Sequence, residues 1–290
     1  MTTAADSPDT NTDDCTIAQD WEAYSDRDHA TWRQLFERQS RLLVGRACDE
    51  YLAGLDQLGV CADGIPDFRK LNDVLGKTTG WQVVAVPGLI SEAAFFGHMA
   101  ERRFVATRWI RSPEQMDYLQ EPDIFHDVYG HVPLLTDPAF ADYLQAYGRG
   151  GLKALRLGAL DMLARLYWYT VEFGLLHTPD GPRIYGAGIL SSRGESIYCL
   201  DDRKPNRIAF DLKRILRTRY RIDDFQETYF VIDSFEQLMS ETAPDFAPIY
   251  RELAGLAEIE PGDIQPSDTS VGGSFTDRGS ATKMQKKGRG

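Results

Sequence analysis

His126 and His131 stand five positions apart in EPDIFHDVYGHVPLL, an otherwise apolar run that contains two of the chain's five histidines. Burying two imidazoles is costly unless each ring nitrogen finds a partner, and the available partners are hydrogen-bonding groups or a metal ion. On a regular α-helix residues five apart are turned about 140° from each other, so the pair does not share a face as an i, i+4 pair does. Gly130 before His131 and Pro133 after it suggest a helix that loosens or ends there, swinging the second ring toward the first. The alternative is two unrelated histidines, one at a helix end and one satisfied in the core.

Two imidazoles alone would hold a metal weakly, so a third ligand decides the matter. In ALDMLARLYWYTVEFGLLH the residues Leu160, Leu163, Tyr167 and Val171 form the apolar side of a helix, and Asp161, Arg165, Trp168 and Glu172 form a neighbouring stripe. An i, i+4 ion pair of Asp161 with Arg165 on a wet face gives Glu172 an ordinary explanation. Val171, Phe173 and Trp168 around it argue instead that this end is dry, where a carboxylate needs a cation. Periodicity leaves both readings open.

The elements that must position these residues are mostly helical. DHATWRQLFERQSRLLVGRACDEYLAGLDQLG carries apolar residues at helical spacing, loosened near Gly45, and reads as one or two helices. IPDFRKLNDVLGKTTG predicts a shorter helix closed by Gly80, WQVVAVPG a buried strand stopped by Pro87 and Gly88, and FVATRWI a second strand. Helical spacing dominates from Pro138 to His177, broken at the glycines 148, 150 and 151. RIAFDLKRILRTRY and SFEQLMSETAPDFAPIYRELA predict later helices, with ETYFVID a short strand between them. The pattern is an α+β, predominantly helical domain with a small β-sheet, not the alternation of a doubly wound fold.

Both ends are expected to be disordered tails, residues 1–17 polar and acidic and residues 262–290 rich in Gly, Ser and Thr, leaving 18–261 as a single domain. The 44 acidic against 32 basic residues give a formal charge of −12, which argues against nucleic acid or an anionic membrane as partner. No apolar run approaches the roughly 20 residues of a membrane span. Cys15, Cys48, Cys61 and Cys199 lack C-x-x-C spacing and are expected to be reduced thiols of a cytoplasmic protein.

Three blocks in order, EPDIFHDVYGHVPLL, LYWYTVEFGL and IYGAGILSSRGE, resemble the aromatic amino acid hydroxylases, and the likeness runs from about residue 20 to about 260. The resemblance implies that family's fold and its mononuclear non-haem Fe(II), with His126, His131 and Glu172 as ligands. Two imidazoles and one carboxylate on one face of an octahedron leave three positions open for water, dioxygen or substrate. Tyr167 is implied to lie near the metal, and Glu195 to support the site through the GAGILSS loop.

The same resemblance implies tetrahydrobiopterin or a related tetrahydropterin and O2 as cosubstrates. VPGLISEAAFFGHMAERRF matches the pterin region, with Phe95 at the ring-stacking position, Gly88, Leu89 and Ile90 giving backbone contacts, and Asp127 near pterin and substrate. By their types alone Phe95 and Phe96 are more often core residues, and Arg111 at the end of a strand is a surface charge. Arg111 is implied to grip the substrate carboxylate, with Ser191 assisting and Trp168 and Pro122 shaping an aromatic pocket. Likeness to the short bacterial members implies L-phenylalanine hydroxylated to L-tyrosine, with tryptophan or tyrosine as the alternative substrate. A zinc hydrolase built on the same three ligands and a binding protein with a vestigial site are the rival classes. No leucine heptads follow residue 262, and a monomer is expected.

Overall fold

The structure, a computed structural model, describes residues 14–117 and 121–272. Three helices come first: α1 (Asp26–Leu43), α2 (Asp49–Leu58) and α3 (Phe68–Thr78). Ser25 starts α1 with a capping box, its hydroxyl accepting the Asp28 N–H while the Asp28 carboxylate accepts the Ser25 N–H. Gly45, at φ +69°, makes the turn that separates α1 from α2. The helical stripe of α1 buries Trp32, Leu35 and Leu43, and the Trp32 indole N–H finds the carbonyl of Cys61 at 2.9 Å.

Next comes one βαβ unit, β1 (Gln82–Val86), α4 (Glu92–Ala100) and β2 (Arg103–Thr107). The strands pair in parallel with Gln82 opposite Arg103 and Val86 opposite Thr107, so α4 is the crossover that parallel pairing requires. This register brings the ends of both strands to one edge. The loop carrying Gly88 to Ile90 and the segment carrying Arg111 therefore leave the sheet side by side.

Two π-helical turns, Phe125–His131 and Trp168–Glu172, interrupt the helical second half. Between them lie α5 (Pro138–Leu157), capped by Asp137 through the Phe140 N–H at 2.9 Å, and α6 (Leu160–Tyr167). A second sheet has the order β4-β3-β6-β5, built from β3 (Leu175–Thr178), β4 (Gly181–Ile184), β5 (Asn206–Ala209) and β6 (Thr228–Ile232). β6 is buried along its whole length and pairs in parallel with β3 and β5, which is why TYFVI is an unbroken apolar run rather than an alternating one. The short helices α7 (Ala187–Leu190), α8 (Arg193–Asp201), α9 (Leu212–Arg217), α10 (Phe235–Thr242) and α11 (Ala247–Leu253) complete the body.

The architecture is the helix-rich α+β fold expected, with differences in detail. The β strands form two separate sheets, not one, and α5 runs unbroken through Gly148, Gly150 and Gly151, the first and last of which let α4 pack closely against it. Helical geometry ends at Glu172, and His177 lies in β3, because Asp180 and Gly181 turn the chain into a hairpin with Gly181 at φ +104°. The first residues of RIAFDLKRILRTRY are strand, since Ile208 pairs with Phe230 in the interior of the sheet. Order also extends past both expected tail boundaries. Ile17 bridges Ala85 on the free edge of β1, and residues 269–271 add to the edge of β5, with the Ala209 N–H on Thr269 and the Val271 N–H on Arg207. Covering an open sheet edge satisfies its backbone groups and blocks pairing with other chains. Residues 1–13 and 273–290 of the expected tails lie outside the described residues.

Candidate active site

The first π-helical turn resolves the spacing of the two histidines. With its wider i→i+5 turn, residues five apart come back near one another, as they do not on an α-helix, and the Nε2 atoms of His126 and His131 lie 3.2 Å apart. The second π-helical turn does the same service for the carboxylate: the Phe173 N–H reaches back five residues to the Trp168 carbonyl at 2.9 Å, and Glu172 is carried inward. Its Oε1 is 3.3 Å from Nε2 of His131 and its Oε2 is 3.7 Å from Nε2 of His126. Glu172 thus belongs to a dry site, and the wet-face reading of its stripe fails for it. Asp161 stays exposed, while the Arg165 guanidinium is buried, donates to the Leu216 carbonyl and pairs with Glu258.

Close backbone approach makes the convergence possible. A side chain at Gly130 would press on Ala187, with a Cβ 3.0 Å from both the Ala187 Cβ and its carbonyl oxygen, and one at Gly186 would stand 2.4 Å from the Glu172 carbonyl. The segment carrying α7 is therefore drawn against both π-helical turns, and Ser191 at its end reaches His126. The Ser191 hydroxyl has one proton, and it is directed to the carbonyl of Ala187 at 2.8 Å, which can only accept. Its oxygen is then the acceptor for Nδ1–H of His126 at 2.9 Å. This selects the tautomer with a bare Nε2, the atom facing Glu172.

Electrostatics agree with a cation site. Burial pushes the His126 pKa down to about 4, against the opposing Glu172 charge, so that ring is neutral at physiological pH. Burial pushes Glu172 up, but the His131 and His126 rings and the Gly188 N–H outweigh it and leave its pKa lowered. Two imidazoles and one carboxylate offer ligand atoms within 4.8 Å of one another, and among the described residues this is the group able to take a metal ion. Metal–ligand bonds of about 2.1 Å separate neighbouring ligands by roughly 3 to 3.5 Å; the 3.2 and 3.3 Å spacings to His131 fall in that range and the 3.7 Å between His126 and Glu172 lies just beyond it.

His126 and Glu172 open onto a cavity of about 590 Å³ whose walls also include Arg111, Pro122, Trp168 and Ser191, all four of the expected substrate residues. Arg111 is not a surface charge. It is 7% exposed and grips Asp123 through Nε and Nη2, each at 2.8 Å, with its own backbone N–H at 3.0 Å. Asp123 Oδ1 in turn accepts the His126 N–H at 3.0 Å, so one carboxylate fixes both the guanidinium and the start of the first π-helical turn. Trp168 donates its indole N–H to Gln226 Oε1 at 2.9 Å and stacks on Tyr220 at 4.4 Å. Glu195, on the same cavity, accepts from the Tyr229 hydroxyl and from the Gln226 N–H. Burial raises its pKa.

The expected pterin residues lie outside the walls of that cavity. Gly88, Leu89 and Ile90 occupy the loop between β1 and α4, with Leu89 81% exposed. Phe95 is partly buried on α4 and meets Tyr167 edge-on at 6.0 Å, and Tyr167 lies parallel to the His131 ring at 6.3 Å. An aromatic path therefore joins Phe95 to His131. Asp127 accepts the N–H and the hydroxyl of Thr107 at 2.7 and 2.9 Å, and burial pushes its pKa up to about 7. Asp123, Gln226 and Tyr229 were not singled out by sequence. The side chains they hold are 12 positions away for Asp123 and Arg111, 34 for Tyr229 and Glu195, and 58 for Gln226 and Trp168, so no short sequence pattern signals these pairs.

Comparison with known proteins adds independent findings. The profile of the biopterin-dependent aromatic amino acid hydroxylases matches residues 20–253. The chain is 64% identical over 255 residues to the phenylalanine-4-hydroxylase of Chromobacterium violaceum, covering 88% of this chain and 86% of that one. It is 63% identical over 255 residues to that of Ralstonia nicotianae, covering 88% and 82%. A crystal structure of the Chromobacterium violaceum enzyme with iron and phenylalanine bound superposes with a TM-score of 0.86 at 61% identity, over 90% of this chain and 95% of that one.

Proposed function

This chain belongs to the biopterin-dependent aromatic amino acid hydroxylase family, and from that premise we propose that it is a phenylalanine 4-monooxygenase, converting L-phenylalanine and O2 to L-tyrosine with a tetrahydropterin as reductant. The observation that carries the reading is the convergence of His126, His131 and Glu172 beside a cavity that His126, Glu172, Arg111 and Trp168 line. A positive fork and an aromatic wall beside a two-histidine, one-carboxylate site match the two ends of an aromatic amino acid.

The residues divide the work. His126, His131 and Glu172 are the side chains that would hold ferrous iron, and when bound the iron and the tetrahydropterin supply oxygen activation and its electrons. Arg111, preset by Asp123, binds the substrate carboxylate with the N–H groups that Asp123 leaves free. Trp168 and Pro122 orient the ring and keep water from it. Phe95, Asp127 and the backbone from Gly88 to Ile90 form the pterin side, which the aromatic contact through Tyr167 supports.

Among the described residues no helix is long and apolar enough to cross a membrane. The reading includes a monomer that works in the cytoplasm on a small molecule, without nucleic-acid or membrane partners, supported by the net charge of −12. The test is purified protein with Fe(II), tetrahydrobiopterin and each of phenylalanine, tryptophan and tyrosine, first without oxygen and then with it. Oxygen-dependent formation of tyrosine from phenylalanine is expected. Turnover without oxygen or pterin would restore the zinc hydrolase, and faster conversion of tryptophan or tyrosine would change the substrate.

A further inference from the structure

We infer that Gln226 is a positioning residue for the reaction proposed above, on which this inference rests: its side-chain oxygen sets the angle of the Trp168 indole in the substrate cavity. Gln226 is 2% exposed, at the base of an exposed stretch from Arg221 to Phe225, and both it and Trp168 line the cavity. The direction of its amide is fixed by chemistry. Nε2 lies 2.9 Å from the Arg221 carbonyl and 3.4 Å from that of Asp224, two groups that only accept. The NH2 end must therefore point at them, which leaves Oε1 for the indole N–H of Trp168 at 2.9 Å.

The main chain of Gln226 is pinned as well. Its N–H donates to Oε1 of the buried Glu195 at 3.1 Å, and the Tyr229 hydroxyl donates to the same carboxylate oxygen. Trp168 has this single polar atom to give. Its ring is otherwise held by Tyr220, stacked with centroids at 4.4 Å, and by Phe173, tilted at 4.7 Å, apolar contacts that do not fix the in-plane direction of the indole N–H. The hydrogen bond to Gln226 supplies the direction that stacking lacks. It also couples the exposed 221–225 stretch to the cavity wall, since Arg221 and Asp224 orient the amide that orients the indole.

The test compares Gln226→Met, which keeps length but removes the acceptor, with Trp168→Phe, which keeps an aromatic ring but removes the donor, and with the double variant. In 15N-labelled iron-free protein the Trp168 indole N–H resonance is identified as the one missing from Trp168→Phe. In Gln226→Met that resonance is expected to shift and its exchange with solvent to quicken at least tenfold, while the other indole resonances stay in place. In turnover the KM for phenylalanine should rise about tenfold and that for pterin less than twofold, and the double variant should be no worse than Trp168→Phe alone. An unmoved Trp168 resonance, or single-variant effects that multiply in the double variant, would overturn the inference. The spectroscopic result stands apart from activity, so a wild-type protein that made no tyrosine would sink the functional reading and leave this one decided by the resonance.

Discussion

The Ser191 hydroxyl bridges Nδ1 of His126, 2.9 Å away, and the Ala187 carbonyl, 2.8 Å away. Because that carbonyl takes the hydroxyl proton, Ser191 acts on the imidazole as an acceptor and presents Nε2 unprotonated toward Glu172. Removing the hydroxyl frees the tautomer and the ring angle. Ser191→Ala should weaken Fe(II) binding by about 10 to 100-fold, measured anaerobically against a competing chelator, with the circular dichroism spectrum unchanged. Unchanged iron affinity together with a raised KM for phenylalanine would instead assign Ser191 to the substrate carboxylate.

Glu172 and His131 lie 3.3 Å apart on different π-helical turns, the spacing expected of two ligands to one ion. Glu172→Gln and His131→Ala are each expected to leave a folded protein with iron occupancy sharply reduced and kcat down at least about 100-fold. Metal analysis and turnover of the same preparations check this. Near-normal iron and rate in either variant would remove that residue from the ligand set.

How much of this was legible in the sequence depends on the range of the contacts involved. The amphipathic stripe of α1 and the stop at Pro87 after β1 are local and could be read directly, whereas periodicity left Glu172 open and only the family resemblance of its block joined it to the two histidines. The π-helical turns were not readable as such; only Gly130 and Pro133 hinted that an α-helix would not serve. Asp180-Gly181 is a hairpin signal that the long helical run before it obscured. Ile208 looked helical because a short apolar run does not distinguish helix from strand until β6 pairs with it. Arg111 looked like a surface charge because Asp123, which buries it, cannot be recognised as its partner from spacing.

Phe95 offers a test of the pterin side. Its ring meets Tyr167 at 6.0 Å and Phe96 at 5.5 Å, so the bare alternative is a core residue whose loss costs stability alone. If Phe95 stacks on the pterin, Phe95→Ala should raise the KM for tetrahydropterin about tenfold and that for phenylalanine less than twofold. Equal rises in the two, with a lower Tm, would return Phe95 to the core.

The segment after residue 261 provides the last prediction, because its expected disorder and its observed contacts disagree. Asp268 pairs with Arg214 at 3.0 Å with both side chains almost fully buried, at 3% and 4% exposure. Arg214 also donates to the carbonyl of Asp263 at 2.6 Å and to the Thr218 hydroxyl, and it lies over the Phe230 ring at 6.0 Å. Taking away the carboxylate leaves a guanidinium charge inside the protein without its counter-charge, a change that costs about 3–5 kcal/mol. Asp268→Ala should therefore lower Tm by roughly 6–20 °C for a chain of this size, and a chain ending at Pro261 should lose at least as much. Asp268→Asn, which keeps a hydrogen-bond acceptor but no charge, should fall between. Thermal unfolding followed by circular dichroism measures all three. A loss below about 0.5 kcal/mol for Asp268→Ala, the range of an ordinary surface substitution, would show that residues 262–272 add nothing to the body and that the boundary at 261 was right.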